Sequence, residues 1–408
     1  MEKVKPGYKR TEIGIIPNDW KIAIISEIGK VYSGGTPDTA NPNYWDGDIF
    51  WCTPTDITAL KNQKYLYDTG RKITGLGLKY SSSKLLPPNS VIVCTRATIG
   101  KAAINKIPMT TNQGFKNIIP ENINPDLLYY IICNNTDRLI KLASGSTFLE
   151  VSKNGFDNFQ IAVPILKKEQ DVIASALSDV DSLIEKLTKL IDKKRSVKEG
   201  AMQQLLLPKV GWEKKTISDI ADVKSGKRLP LGSSLIDDET PYPYIRVSDM
   251  YNGGVCLDEI KYVPKEVFPF IKKYRIFKNE IFISVAGTIG LIGMIPSILN
   301  GANLTENADK LTNIKCDVLF LKYLLQSEQY QRKLHSSTTF GAQPKLALIR
   351  IRELEICFPI SISEQKQIAS TLSDIDTEIE VLKQNLSKYK AIKEGMMQQL
   401  LTGQIRLI

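Results

Sequence analysis

The residues of this sequence that do chemistry in other proteins fall in a few places, and each is read against its neighbours. Asn41-Pro42-Asn43-Tyr44 differs at its third position from the Asn-Pro-Pro-Tyr pattern with which adenine methyltransferases hold a flipped base. No glycine-rich strand-to-helix turn for S-adenosylmethionine accompanies it. Glu364-Gln365-Lys366 has the order of the tail of a carboxylate-lysine nuclease site. It lacks a nearby Pro-Asp partner and opens a helical segment, so it reads as a capping and solvated-face feature. His335 is the single histidine; with no GxSxG serine to activate, it reads as an exposed residue at a helix end. Cys52, Cys94, Cys133, Cys256, Cys316 and Cys357 are scattered without a CxxC pair, which excludes a zinc ribbon or disulfide framework and predicts buried free thiols. No catalytic or metal-binding residue is assigned.

Charge points elsewhere. Lys and Arg number 54 against 44 Asp and Glu, a formal net charge of +10 with a pI near 9.0, which suits a polyanionic partner. Hydrophobic residues make up 42% and charged residues 24%, so the chain has the composition of a folded protein rather than a disordered one. No apolar run reaches signal-peptide length or the roughly 18 residues of a membrane span, and the expected location is the cytoplasm.

The elements that position these residues come in two copies. EQDVIASALSDVDSLIEKL from Glu169 returns as EQKQIASTLSDIDTEIEVL from Glu364, and KEGAMQQLL from Lys198 returns as KEGMMQQLL from Lys393, with no gap between the blocks. Ile173, Leu177, Val180, Ile184, Leu187 and Ile191 follow a 4-3-4-3 rhythm, as do Ile368, Leu372, Ile375, Ile379 and Leu382. That spacing is the a/d seam of a coiled coil. Each copy predicts a helix of about 36 residues, roughly 54 Å long. One apolar stripe is not stable alone in water, so the two are expected to pack on each other as an antiparallel pair. Their Met-Gln-Gln-Leu-Leu ends, Met202–Leu206 and Met397–Leu401, offer surface for partner subunits.

Before each helix lies a diverged segment that keeps its landmarks in order. Trp20 matches Trp212, Ser33-Gly34 matches Ser225-Gly226, Thr98-Ile99-Gly100 matches Thr288-Ile289-Gly290, and Asp126 matches Asp317. Short β-branched runs such as residues 90–95 and 280–285 read as strands, and residues 126–140 and 318–334 as the clearest helices. The fold class is α+β: two mixed α/β domains, 1–165 and 207–360, joined by long helices, 166–206 and 361–408, with an internal pseudo-two-fold repeat. Constant helices with variable domains between them imply one shared structural task and two different ligands.

These residues carry a resemblance. The opening Lys-Arg-Thr-Glu-Ile-Gly-Ile-Ile-Pro-Asn-Asp-Trp, the Ser-Gly-Gly-Thr-Pro at 33–37 followed by residues 44–51 and 53–56, Thr-Arg-Ala-Thr-Ile-Gly at 95–100, and the doubled helix entry resemble specificity subunits of type I restriction-modification enzymes. The resemblance covers essentially the whole chain. It implies two target recognition domains, each reading one half of a split site on double-stranded DNA, with helices whose length sets the gap. It further implies two modification (methyltransferase) subunits on the helices and restriction (motor-nuclease) subunits that join for cleavage. S-adenosylmethionine, ATP and Mg are then expected on those partners and no cofactor in this chain. The second domain departs from the first, with Ser225-Gly-Lys-Arg-Leu-Pro230 in place of the Gly-Gly-Thr-Pro stretch, as two different half-sites require.

A reader of this kind needs cations and short polar side chains on loops. In the first domain these are Thr36, Arg96, Thr98, Lys101, Asn112, Gln113 and Lys116; in the second, Lys227, Arg228, Arg246, Ser248, Thr288, Lys310, Gln343 and Lys345. The loops at 145–148 and 340–344 read as a corresponding pair. The alternative from a different class is a coiled-coil scaffold that pairs two modules for ligands other than DNA; indifference to duplex would mark it.

Overall fold

The computed structural model describes residues 4–61, 63–145, 149–338 and 344–407. They form two compact units, one of Met1–Leu190 with Leu382–Ile408 and the other of Ile191–Val381. The two long helices, Lys167–Leu205 and Ile362–Leu400, each have 39 residues, slightly more than the seam alone predicts. Each unit therefore holds a segment of both helices.

The first unit is built on a five-stranded sheet in the order Gly29–Ser33, Phe115–Pro120, Val91–Cys94, Ala102–Asn105, Tyr65–Leu66. Beside it stands a three-stranded sheet in which Trp45–Cys52 lies between Met109–Thr111 and Arg71–Ile73. The second unit repeats the plan with two four-stranded sheets. One runs Asp222–Ser225, Ala308–Thr312, Ile281–Ser284, Ile292–Gly293; the other runs Lys261–Tyr262, Pro243–Ile245, Ala302–Leu304, Arg275–Ile276. In both, the strands directly paired on the central one are antiparallel in the first sheet, as Phe115↔Cys94 and Ile281↔Leu311 register shows. Val91, Ile92, Val93, Ile281, Phe282 and Ile283 are fully buried. Near-continuous burial explains why these strands read as apolar runs rather than as alternating patterns.

Each predicted globular helix is broken in two. Pro125–Asn134 is followed by Thr136–Leu142, and Val318–Gln326 by Glu328–Ser336. The structural counterpart of Asp317 is Asn124 and not Asp126: both residues cap their helix, and both donate a backbone N–H to a long-helix glutamine, Asn124 to Gln170 at 3.0 Å and Asp317 to Gln365 at 2.8 Å. Asn and Asp are interchangeable as caps, which hides the register from sequence matching.

The doubled Glu-Gln is an anchor. Gln170 donates to the Pro164 carbonyl at 2.9 Å and Gln365 to the Pro359 carbonyl at 2.8 Å. The indole of Trp20 donates to Glu169 at 3.3 Å, and that of Trp212 to Glu364 at 3.2 Å. Farther along, Asp181 accepts from Tyr130 at 2.6 Å and Asp376 from Tyr323 at 2.8 Å. The same carboxylates meet the other helix's segment inside their own unit, Lys393 on Asp181 and Lys198 on Asp376, both at 2.6 Å. A second contact, Lys194 with Glu378, moves backward on one helix as the other advances, so the two segments of the second unit run antiparallel. Hydrogen bonds to charged groups contribute about 1.5–3 kcal/mol each when well shielded.

The seam residues divide by position. Ile173 and Leu177 join the core of the first unit, and Ile368 and Leu372 that of the second, so the start of each seam serves its own unit's core. Ile184 and Ile379 are also buried, whereas Val180, Leu187, Ile375 and Leu382 are half-buried. The cysteines are free thiols, but only Cys52, Cys94 and Cys357 are buried; Cys133 and Cys316 are half-buried, and Cys256, just after the short Gly254–Val255 strand, is exposed. No helix among the described residues is long and apolar enough to cross a membrane.

One contact of the first unit has no copy among the described residues of the second. Arg406 donates to Asp19 at 2.9 and 2.8 Å and to Glu169 at 2.9 Å. Its guanidinium holds the Asp19 carboxyl below the ordinary value of 3.8. A carboxyl depressed in the folded state adds stability above its ordinary pKa, and that stability is lost as pH falls through the lowered value. Arg406→Ala should therefore lower the thermal midpoint near neutral pH, and its deficit against the wild type should shrink in acid, below the ordinary Asp value of 3.8. Melting curves across that range check this; a deficit that stays constant into acid would contradict it.

Candidate nucleic-acid interface

Five backbone hydrogen bonds draw the predicted loops of the first unit together. Gly34 donates to Phe115 at 3.2 Å, Gly35 to Thr111 at 2.9 Å, Asn112 to Cys52 at 3.0 Å, Thr95 to Gly114 at 2.9 Å, and Val151 to Thr95 at 3.0 Å. The second unit makes the same set. Gly226 donates to Ala308 at 3.0 Å, Lys227 to Leu304 at 2.8 Å, Thr305 to Ile245 at 3.1 Å, Val285 to Asn307 at 2.7 Å, and Leu346 to Val285 at 2.9 Å. Main-chain bonds do not depend on side-chain identity, so this wiring holds the loops in place while their chemistry changes.

Glycine is required where the wiring is tightest. A Cβ on Gly34 would stand 1.8 Å from the Asn112 carbonyl oxygen, and one on Gly226 would stand 2.0 Å from that of Thr305. The hairpin that follows each central strand turns through a left-handed residue, Ala97 at φ 61° and Gly287 at φ 75°. At Ala97 this conformation costs about 1–2 kcal/mol, and strain of this kind concentrates where loops are functional.

Most predicted residues sit on this cluster. Thr36 donates to Gln113, and the Asn112 side chain accepts from the Gly114 N–H at 2.9 Å. Arg96 is bridged to Glu150 through the backbone, as Ala286 is to Lys345. Lys101, Gln113, Lys227, Arg228, Ser248, Thr288 and Lys345 are exposed, and Thr36, Arg96, Thr98, Asn112 and Arg246 half-buried. Arg228 pairs with Glu306 at 3.1 Å while remaining 75% exposed. Arg246 is turned inward on Asp249, at 3.0 Å from Nε, and this pair raises its pKa. Among the described residues the buried hydroxyl of Thr98 has no hydrogen-bond partner. Gln343, and parts of the loops at 145–148 and 340–344, lie outside the described residues.

Two predictions are corrected. Lys116 and Lys310 lie on the strands Phe115–Pro120 and Ala308–Thr312 and are buried, not on exposed loops. Lys116 reaches Glu150 at 3.4 Å, and Lys310 reaches Glu280 at 2.7 Å and the Arg275 carbonyl at 2.6 Å. A buried ammonium must be paired, so these lysines brace the interface from behind. The position matching Lys116 is Asp309, whose pKa is raised by burial, opposed by the Ser225 hydroxyl and by Lys345 and Arg352. Lys116 and Glu150 in one unit thus answer Asp309 and Lys345 in the other, with the charges reversed. Sequence reading missed Glu150, Asp309 and Glu306, because acidic residues in a basic chain give no signal until their partners are known.

The chemical motifs resolve into structure. Asn41 caps a short turn over Pro42–Tyr44 by accepting from the Asn43 N–H at 3.1 Å, and Tyr44 stacks on Tyr80. Glu364 and Gln365 belong to the anchor, and His335 is exposed near the end of its helix. Among the described residues no group of three or more His, Cys, Asp or Glu is placed to hold a metal ion.

Comparison with known proteins agrees with this doubled plan. The family model for the type I restriction modification DNA specificity domain matches twice, at residues 17–193 and 209–390. The MjaIX specificity subunit of Methanocaldococcus jannaschii is 29% identical over 98% of this chain and 96% of its own length. The EcoR124I/EcoR124II specificity subunit of Escherichia coli is 31% identical over 42% of each chain. A crystal structure of a type I restriction-modification S subunit from M. genitalium shares the fold, with a TM-score of 0.60 at 18% identity and 98% coverage of both chains.

Because Gly34 and Gly226 leave no room for a methyl group, Gly34→Ala and Gly226→Ala should each open one loop cluster at a cost of about 1–3 kcal/mol or more. Chemical denaturation checks this, and a variant within about 0.5 kcal/mol of wild type, the range of ordinary surface changes, would show the loops are not held as described.

Proposed function

Since the chain belongs to the family of type I restriction-modification DNA specificity subunits, we propose that each unit presents one loop cluster to one half of a bipartite duplex target. The observation that carries this reading is the duplicated backbone wiring with exchanged side chains. A constant scaffold under variable polar tips is what two readers of different sequences need. In this reading residues 1–165 and 207–360 are the recognition domains, and the helices at 166–206 and 361–408 pair as an antiparallel coiled coil that spaces the half-sites. The exposed candidates Lys101, Gln113, Lys227, Arg228, Ser248, Thr288 and Lys345 then face DNA.

The chain itself is the non-catalytic member of a cytoplasmic complex. It docks two modification subunits, which hold S-adenosylmethionine, and restriction subunits, which hold ATP and Mg. Leu206, Leu400 and Leu401 of the repeated Met-Gln-Gln-Leu-Leu ends are buried in their units' cores rather than offered as surface, whereas Gln203, Gln204, Gln398 and Gln399 are exposed, and it is this repeated amide face that supports docking of the same partner twice. Clefts of about 520 Å³ beside Met397 and Gln398, and about 880 Å³ beside Met202 and Gln203, open at these matching positions, one in each unit.

Phosphate contacts release counterions. Duplex affinity of the chain with its modification partner should therefore fall steeply and log-linearly with salt, and anisotropy titrations across salt check this; indifference to duplex at low salt would favour a protein scaffold. The helices make a second demand. Inserting one helical turn into each should lengthen the unspecified gap without changing either half-site, as sequencing of methylated adenines would reveal. Altered half-site letters would count against the spacer role.

A further inference from the structure

The second unit carries a cationic ridge that the first lacks. Between Pro264 and Glu280 lie Lys265, Lys272, Lys273, Arg275 and Lys278, against Glu266 and Glu280. Glu280 is buried and committed to Lys310 at 2.7 Å, so it does not offset the outer charges. Lys265, Lys272, Lys273 and Lys278 are exposed, and among the described residues none of them makes an ion pair. Phe270, in the same stretch of chain, is 74% exposed. The matching stretch of the first unit, residues 74–90, has only Lys79 and Lys84 as charged residues. It is matched by position: Leu86 bridges Met109 where Ile276 pairs with Ala302.

The ridge is wired to the loop cluster. Leu304 donates to the Tyr274 carbonyl at 2.9 Å and accepts from the Lys227 N–H at 2.8 Å. Phe268 stacks on Tyr242 at 3.7 Å, and the Lys227 ammonium is 5.9 Å from the Tyr274 ring. The loop bearing Lys227 and Arg228 therefore lies directly against it. Exposed lysines without ion pairs, in one short stretch with an exposed aromatic residue, disfavour burial against protein and fit a phosphate backbone, with an apolar tip of the type that enters grooves.

We propose that this ridge grips the sugar-phosphate backbone of duplex DNA beside the second loop cluster, so that the second unit supplies the larger share of sequence-independent affinity. The proposal rests on the DNA-reading role proposed above. Its test uses the full chain with its modification partner and a random-sequence duplex, titrated by anisotropy across sodium chloride. Replacing Lys272, Lys273 and Lys278 with Gln should make the log-log salt slope shallower by about 2–3, while the preference for the true target over random duplex stays the same. Arginine at the same positions should retain the wild-type slope, and Lys79→Gln with Lys84→Gln should change it by less than about 1. Phe270→Ala should weaken binding several-fold at an unchanged slope. If wild type binds steeply and the triple Gln variant keeps its slope, or if the Lys79/Lys84 variant loses as much, the ridge assignment is overturned and the DNA-reading role stands. If wild type binds no duplex at any salt, the DNA-reading role itself fails.

Discussion

Two buried amides organise this molecule. Gln170 and Gln365, 4% and 1% exposed, each join three pieces of chain: the end of a strand at Pro164 or Pro359, the start of a long helix, and the first turn of a globular helix at Asn124 or Asp317. A buried amide left unsatisfied costs about 1–3 kcal/mol, and no charged or apolar residue of similar size both donates and accepts as it does. The angle at which each helix leaves its sheet depends on these bonds. So do the Tyr130–Asp181 and Tyr323–Asp376 contacts farther along.

Because the anchor and the loop wiring are both directed at backbone atoms, the side chains at the loop tips are free to diverge. The reversal from Lys116 and Glu150 to Asp309 and Lys345 shows how far that freedom goes. Buried charge is retained, since it must be paired, but its sign is exchanged between strand and loop. In a scaffold of this kind a change of side chain at a loop tip does not remove a bond of the frame.

The two units also solve one problem differently. Beside the long helix, the first unit buries Lys64 among Asp126 at 2.7 Å, Ser178 at 2.6 Å and Tyr130 at 3.2 Å. The second has no lysine from that loop. It buries Lys322 instead, whose pKa is lowered by burial and raised in part by Asp376. The carboxylate that answers the buried lysine therefore sits on the globular helix in the first unit, at Asp126, and on the long helix in the second, at Asp376.

The repeat, the helices and their seams, the mixed strands and the family were legible in the sequence, because each is local: a seam has a period, a doubled block has an offset, and a loop motif has a fixed spacing. Exposure was not. Lys116 and Lys310 look like their neighbours Gln113 and Lys101 in a string of letters, and only the pairing of strands with Glu150 and Glu280 places them inside. Asp126 matched Asp317 by letter, but the glutamine across the fold selects Asn124. Ile173 and Leu177 keep a coiled-coil rhythm while packing into their own unit. Periodicity determines which face of a helix is apolar, but only the tertiary structure decides what that face meets, because burial is a relation between residues far apart in the chain.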